Sequence, residues 1–251
     1  MKRTRVLGNE KPLDGPAVFR QQCGNFSINV GHHSHLGYLA GAPNNYKSTI
    51  IRYWIAAALM NESRLTFDYT LNDRCVLLLD GEQPEDIFNA SVREMYNIAG
   101  GIDYDDRLQA HSLTGYTTAR ERQAEMWNLT VKHRKELGLV ILDGGKNFIS
   151  NFNDIRESTE FINNLLSMGK RTGCQVLVLS HITEKYGLDT KPYGMFGTLL
   201  HDLSSWGYMT SRSGKYIMLR QSKARYGKTS PLYLTRNRET KLLEHLPYMP
   251  F

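Results

Sequence analysis

Cysteine is scarce: the 251 residues hold three, Cys23, Cys75 and Cys174, so far apart that neither a disulfide framework nor a Cys-based zinc site is indicated. A reducing, cytoplasmic setting is therefore expected. No apolar run approaches the ~20 residues that span a bilayer, and no stretch near Met1 resembles a secretory leader. A soluble chain with no membrane partner is expected. Internal repeats and low-complexity tracts are missing too, which argues against a solenoid. What is present is ordinary globular composition, 41% hydrophobic and 22% charged, enough for one large α/β core. The net charge of +6 collects in the C-terminal third, at Arg212, Lys215, Arg220, Lys223, Arg225, Lys228, Arg236 and Arg238. Such an excess invites a polyanion, although solvated basic side chains give the same count.

Residues 1–24 are polar without a clear period and read as an N-terminal arm or an edge segment, leaving residues 25–251 as one domain. Phe26–Val30 and Leu36–Ala40 are two short apolar runs, and the Gly-His-His-Ser-His stretch between them reads as a hairpin turn. Lys47–Met60 carries Ile50, Ile51, Trp54, Ile55, Ala58 and Leu59 at helical spacing, uninterrupted by Pro or Gly. Further helices are expected over Glu85–Ile98, Ala119–Leu137 and Asp154–Arg171, with Gly138 and Gly173 as stops. Cys75–Asp80, Leu139–Leu142 with Asp143, and Gln175–Leu179 are continuous apolar runs, and Leu108–Leu113 is a weaker one. Strands without polar alternation are covered on both faces, so the centre is a parallel sheet of βαβ units. Residues 183–198 read as Gly-rich and irregular, and Trp206–Thr210, Tyr216–Gln221 and Pro231–Thr235 as antiparallel hairpin strands.

The segment Gly41-Ala42-Pro43-Asn44-Asn45-Tyr46-Lys47-Ser48-Thr49 joins a strand to a helix and has the placement of a Walker A loop. There, backbone N–H groups cradle phosphates at the positive end of the helix dipole. Lys47 would reach the β and γ phosphates of ATP, and the Ser48 hydroxyl would ligate Mg2+. Tyr46 stands where the pattern asks for Gly. Magnesium needs a further oxygen ligand, and Asp143, ending a run of four aliphatics, has the Walker B arrangement. Just past Cys75–Asp80, Glu82 is placed to orient or deprotonate an attacking water. Asp80 is its rival, and either carboxylate could instead cap the next helix near Pro84. His181 ends a strand where it could touch the γ-phosphate. Lys223 and Arg225 share one strand face and could reach a neighbouring subunit's nucleotide. His32, His33 and His35 lack the Cys or carboxylate neighbours of a metal site.

With these residues assembled, the chain resembles the RecA-like P-loop ATPases, in the branch of the RepA plasmid helicases, DnaB-type helicases and RadA-type recombination proteins. The resemblance covers about residues 26–240 and runs through four stations in order: residues 41–49, residues 76–82, the stretch from Asp143 to 172–181, and the Lys-x-Arg pair at 223–225. It implies a three-layer α/β sandwich with a mainly parallel central sheet and C-terminal antiparallel hairpin strands. It implies Lys47 as the phosphate lysine, Ser48 and Asp143 as magnesium residues, Glu82 rather than Asp80 as the catalytic acid, and His181 as the γ-phosphate sensor. Lys223 and Arg225 would act across subunits, so a homo-oligomer is expected, a ring, which in this family can be a hexamer, or a filament. Lys146, Lys185 and Lys191 lie in the loops where this family meets single-stranded DNA. RepA has an arginine before its tryptophan where this chain has Ser205 before Trp206, which leaves Arg225 or Arg212 as the trans finger. The expectation is a DNA-dependent helicase or remodelling ATPase serving replication or transfer of a mobile element. The competing reading is a nucleotide-gated DNA-binding or regulatory protein, a loader or recombination accessory, with little turnover.

Overall fold

The continuous apolar runs become the centre of a sheet, because only burial on both faces repays a strand with no polar side. In the computed structural model, which describes residues 17–101, 106–182, 192 and 194–246, the elements run as follows. The first half holds β1 (Ala17–Cys23), β2 (Phe26–His32), β3 (Leu36–Gly41), α1 (Lys47–Met60), β4 (Phe67–Tyr69), β5 (Cys75–Asp80), α2 (Glu85–Ile98) and β6 (Leu108–Ser112). The second half holds α3 (Ala119–His133), β7 (Leu137–Asp143), α4 (Ile155–Thr172), β8 (Gln175–His181), α5 (Gly194–Leu203), β9 (Trp206–Ser213), β10 (Tyr216–Ala224), β11 (Leu232–Arg236) and β12 (Leu243–Leu246). Among the described residues no helix is long and apolar enough to cross a membrane.

The main sheet has nine strands in the order β12-β11-β10-β9-β3-β8-β7-β5-β6. From β9 to β6 neighbours are parallel, and β9 to β12 are antiparallel. Successive side chains of each parallel strand feed opposite faces. Leu139 and Ile141 of β7 join the core under α1 and α2, whereas Val140 and Leu142 join the core under α3, α4 and α5. The result is a three-layer α/β sandwich with a mainly parallel centre. The chain leaves β3 in one direction through α1 and enters β9 on its other side from β8, so the carboxyl ends of β3 and β8 flank a crevice of the kind that holds ligands.

Local signals explain several helix limits. Thr118 and Glu121 form a reciprocal capping box at the start of α3, Asp154 caps α4, and Gly173 ends α4 in the left-handed conformation at φ 67°. Several elements differ from the sequence expectation. Phe26–His32 and Leu36–Gly41 do not form a hairpin: β2 pairs with β1, and β3 pairs with β8 and β9. Helix α3 stops at His133, and Gly138 lies inside β7, where an added Cβ would meet the Leu71 and Arg74 side chains at 3.0 Å. Close packing, not helix termination, explains that glycine. Gly194–Leu203 is helical, and β9 is parallel to β3 as well as antiparallel to β10.

Within the segment read as an arm, Ala17–Cys23 forms the middle strand of a three-stranded sheet, β2-β1-β4. Phe19 anchors it, with its ring centroid 4.9 Å from those of both Trp54 and Trp206 and stacked on Phe67 and Tyr69. Two apolar residues among polar neighbours gave no period to read. Residues 1–16 lie outside the described residues.

Candidate active site

Strand β3, buried along its whole length, delivers Gly41 to the carboxyl edge of the sheet. A Cβ at Gly41 would meet Thr210 Oγ1 at 2.0 Å, so the approach of β9 requires glycine there. The chain then turns through Asn44 (φ 61°) and Tyr46 (φ 60°), both left-handed, and enters α1 at Lys47. Helix α1 has no side-chain N-cap, which leaves first-turn N–H groups directed at the mouth of the loop. Such unclaimed donors, with the helix dipole behind them, favour an anion.

Lys47 is only 8% exposed. Its Nζ donates to the carbonyls of Gly41 and Ala42, each at 2.9 Å, and stands 3.5 Å from His181 Nδ1. Burial lowers its pKa, and the carboxylates of Glu82 and Asp143 oppose that shift. An ammonium resting on two backbone carbonyls can exchange them for phosphate oxygens without crossing the pocket.

Asp143 arrives at the end of β7, opposite Asp80 at the end of β5. It is 6% exposed, and its Oδ2 accepts from Ser48 Oγ at 2.9 Å and Gln83 Nε2 at 3.2 Å. Burial pushes its pKa up to about 7, with help from the Asp80 carboxylate, against the Ser48 hydrogen bond. Asp80 is turned into the structure: its Oδ1 accepts the backbone N–H of Glu82 at 2.7 Å and of Gln83 at 2.8 Å, and its Oδ2 accepts from Gln83 Nε2 at 2.7 Å. Burial raises its pKa despite those bonds. Ser48 Oγ and Asp143 Oδ2 are hard oxygen donors side by side, which fits magnesium. Among the described residues no cluster of three or more His, Cys, Asp or Glu forms a metal cage. Magnesium is ordinarily held by one or two protein oxygens together with substrate phosphates and water.

Glu82 Oε1 lies 2.9 Å from His181 Nε2. This hydrogen bond is the main reason the Glu82 pKa is lowered; burial opposes it, and the charges of His181, Lys146 and Lys47 reinforce it. Glu82 Oε1 accepts from the Nε2 side of the ring, and Nδ1 faces Lys47 Nζ. Residues Pro43 to Thr49 with Glu82, Gln83, Asp143, His181 and Arg212 enclose a cavity of about 460 Å³.

The structure thus brings Lys47, Ser48, Glu82, Asp143 and His181 together. Lys146, in the 3-10 turn Gly145–Phe148 after β7, is close enough for its charge to act on both Lys47 and Glu82. Lys223 and Arg225 are not brought into this pocket. Gly41 pairs with Thr210, but Lys223 pairs with Gly207 and Ala224 with Trp206, toward the amino edge and ~10–13 Å along the strand at 3.3 Å per residue. Lys223 Nζ donates to the Asp202 carbonyl at 3.2 Å, and Arg225 is exposed. Lys185 and Lys191 lie outside the described residues.

Two pocket residues carried no role in the sequence that matches their position. Gln83 bridges both buried acids, and only its spacing from Asp80 could have pointed to it. Arg212, weighed as a trans finger, lines the pocket of its own chain, with its guanidinium 5.7 Å from the centroid of the Tyr46 ring and its Nε donating to the Gly214 carbonyl at 2.8 Å. The three histidines of the 31–35 turn hold no metal-like cluster; His33 Nδ1 is 3.0 Å from the Gly173 carbonyl and His35 stacks on Tyr226.

No curated protein matches the chain. A family model described as an AAA domain matches residues 29–185, a span that runs from β2 past β8 and includes Lys47, Ser48, Glu82, Asp143 and His181. With more than half of the chain matched, and with the lysine, serine and acid converging on one cavity, the chain belongs to the AAA domain family of P-loop ATPases.

Proposed function

We propose that the protein is an oligomeric, ATP-hydrolysing, DNA-dependent helicase or remodelling ATPase of the RepA-like type, serving replication or transfer of a mobile element. The observation that carries this reading is the meeting of Lys47, Ser48, Asp143 and the Glu82–His181 pair around one cavity. Lys47 leaves the Gly41 and Ala42 carbonyls for the β and γ phosphates. Ser48 and Asp143 would hold magnesium, directly or through its waters, and the charge neutralisation it would supply falls on the phosphate oxygens. Glu82 accepts the proton of the attacking water once His181 releases it, and His181 exchanges that bond for the γ-phosphate. Position and electrostatics supply the acceleration, as phosphoryl transfer requires.

Lys223 and Arg225 stand away from the carboxyl edge of their own chain, so any action on a nucleotide would be on a neighbour's in a ring. Lys146 beside the pocket supports coupling between DNA and hydrolysis; Lys185 and Lys191, outside the described residues, complete the proposed DNA contacts. A second reading is favoured by the 2.9 Å Glu82–His181 bond, which occupies the general base: a nucleotide-gated DNA-binding switch with slow turnover.

The discriminating experiment is ATP turnover with and without single-stranded DNA. The motor reading expects stimulation, lost in Lys47→Ala. Turnover that is unstimulated and survives Lys47→Ala removes it. Slow, Lys47-dependent turnover that DNA leaves unchanged supports the switch.

A further inference from the structure

Helices α3 and α4 both descend to the amino edge of the sheet, where they feed β7 and β8, and their last turns are basic: Lys132 and His133 on α3, Lys170 and Arg171 on α4. Cations near helix C-termini are ordinarily explained by the exposed carbonyls and the negative end of the dipole. That explanation is already used up on α4. Arg74, from outside the helix, donates to the Thr172 carbonyl at 2.8 Å and the Gly173 carbonyl at 3.1 Å, while Gly173 N–H bonds Gly169 at 2.8 Å. Among the described residues the side chains of Arg134, Lys135 and Arg171 make no hydrogen bond and no ion pair. Glu136, the adjacent acid, does not pair with them.

These three cations line a groove of about 500 Å³ together with Trp127, Val131 and Met168. Met168 is buried and Trp127 half-buried, but Val131 is 60% exposed on the solvent side of α3. An aliphatic side chain and an indole face surrounded by unpaired positive charge are a poor match for water and a good one for an acidic segment bearing an apolar residue. Nucleic acid is the weaker fit. A phosphate backbone needs a basic track to follow, whereas here the cations ring one concavity, and Val131 has nothing to offer a phosphate.

We propose that the groove between the C-terminal halves of α3 and α4 is a docking site for an acidic peptide segment of a partner protein. A Phe or Leu side chain inserts over Trp127, Val131 and Met168, and flanking carboxylates meet Arg134, Lys135 and Arg171. The site lies at the amino edge, opposite the P-loop, so a partner can be held while the nucleotide pocket stays open. The inference does not depend on the motor reading.

The test is fluorescence anisotropy of the full chain with a labelled peptide in which one Phe is flanked by runs of Asp and Glu, beside a labelled oligothymidylate. Binding in the micromolar range is expected, weakened at least about tenfold by Arg134→Glu with Arg171→Glu, and likewise by Val131→Asp or by Ser in place of the peptide's Phe. Nucleotide binding and thermal melting of the variants should stay at wild-type values, which shows that they are folded. Three results overturn the proposal. One is peptide binding that is absent or indifferent to the substitutions. Another is no peptide binding but oligothymidylate binding that falls with charge reversal. The third is no peptide binding but self-association that the reversal abolishes, which makes the groove an interface between copies.

Discussion

Replacing Asp143 by Asn should stabilise the metal-free protein at alkaline pH while destroying its activity. Burial and the Asp80 carboxylate raise the Asp143 pKa from 3.8 to about 7. A carboxyl whose folded pKa lies above its unfolded value favours the folded state when protonated, so its penalty is absent below pH 3.8, grows between 3.8 and 7, and is full above 7. At 1.36 kcal/mol per unit, the roughly three-unit shift sets a ceiling of about 4 kcal/mol. Asn keeps the acceptor that Ser48 Oγ and Gln83 Nε2 use, and its NH2 group faces the open cavity or Asp80. About half of the ceiling, ~2 kcal/mol, should therefore be recovered at pH 8. For a chain of this size that is a rise of roughly 4–8 °C in Tm. The measurement is thermal or urea unfolding of wild type and Asp143→Asn at pH 4 and pH 8 without magnesium. The gain should vanish at pH 4. Addition of magnesium and a nonhydrolysable ATP analogue should stabilise wild type far more than the variant, since ligand binding adds to folding free energy. A variant no more stable than wild type at pH 8, or equally stabilised at both pH values, would refute the assignment of Asp143 as a strained, buried carboxyl kept for a cation.

Two further outcomes follow from the placement of the arginines. Arg212→Ala should raise the KM for ATP about tenfold, the effect of losing one charge-assisted contact of about 1.5 kcal/mol, with kcat changed less; steady-state kinetics with an Arg212→Lys control would measure it, and an unchanged KM would remove Arg212 from the site. Mixing Arg225→Ala subunits with Glu82→Gln subunits should restore part of the turnover that each lacks alone, because a mixed interface can pair an intact Arg225 with an intact Glu82. Arg212→Ala, acting within its own chain, should gain nothing from the same mixing.

The parallel centre was legible because burial on both faces leaves uninterrupted aliphatic runs, and Lys47–Met60, Cys75–Asp80 and Glu85–Ile98 have the limits the pattern predicts. The positions of Lys47, Ser48, Glu82 and Asp143 at one edge follow from those strands, since each acid or loop ends a run whose direction the parallel sheet fixes. What escaped reading was held by tertiary contact. β1 is held by buried Val18 and by the ring of Phe19 entering a cluster built by Trp54, Phe67 and Trp206. Gly138 signalled a helix stop but is small because Leu71 and Arg74 press on it. Arg212 looked like its basic neighbours on the C-terminal strands; only the register that sets Gly41 against Thr210 places it beside the P-loop and Lys223 away from it.

His181 connects the two halves of the site and gives the pocket a resting order that nucleotide must disturb. Its Nε2 holds Glu82 at 2.9 Å and its Nδ1 faces Lys47 Nζ at 3.5 Å, while Lys47 itself rests on two carbonyls of its own loop. In the proposed reaction an incoming γ-phosphate would compete for both nitrogen groups at once. Taking Lys47 would remove the cation opposite Nδ1, and taking the His181 hydrogen bond would release Glu82 toward the water. On the proposed mechanism hydrolysis would be tied to occupancy: Glu82 would be free to act as general base only with the γ-phosphate in place. An enzyme arranged in this way should show little Glu82-dependent chemistry on nucleoside diphosphates, since they bring no γ-phosphate to displace the histidine.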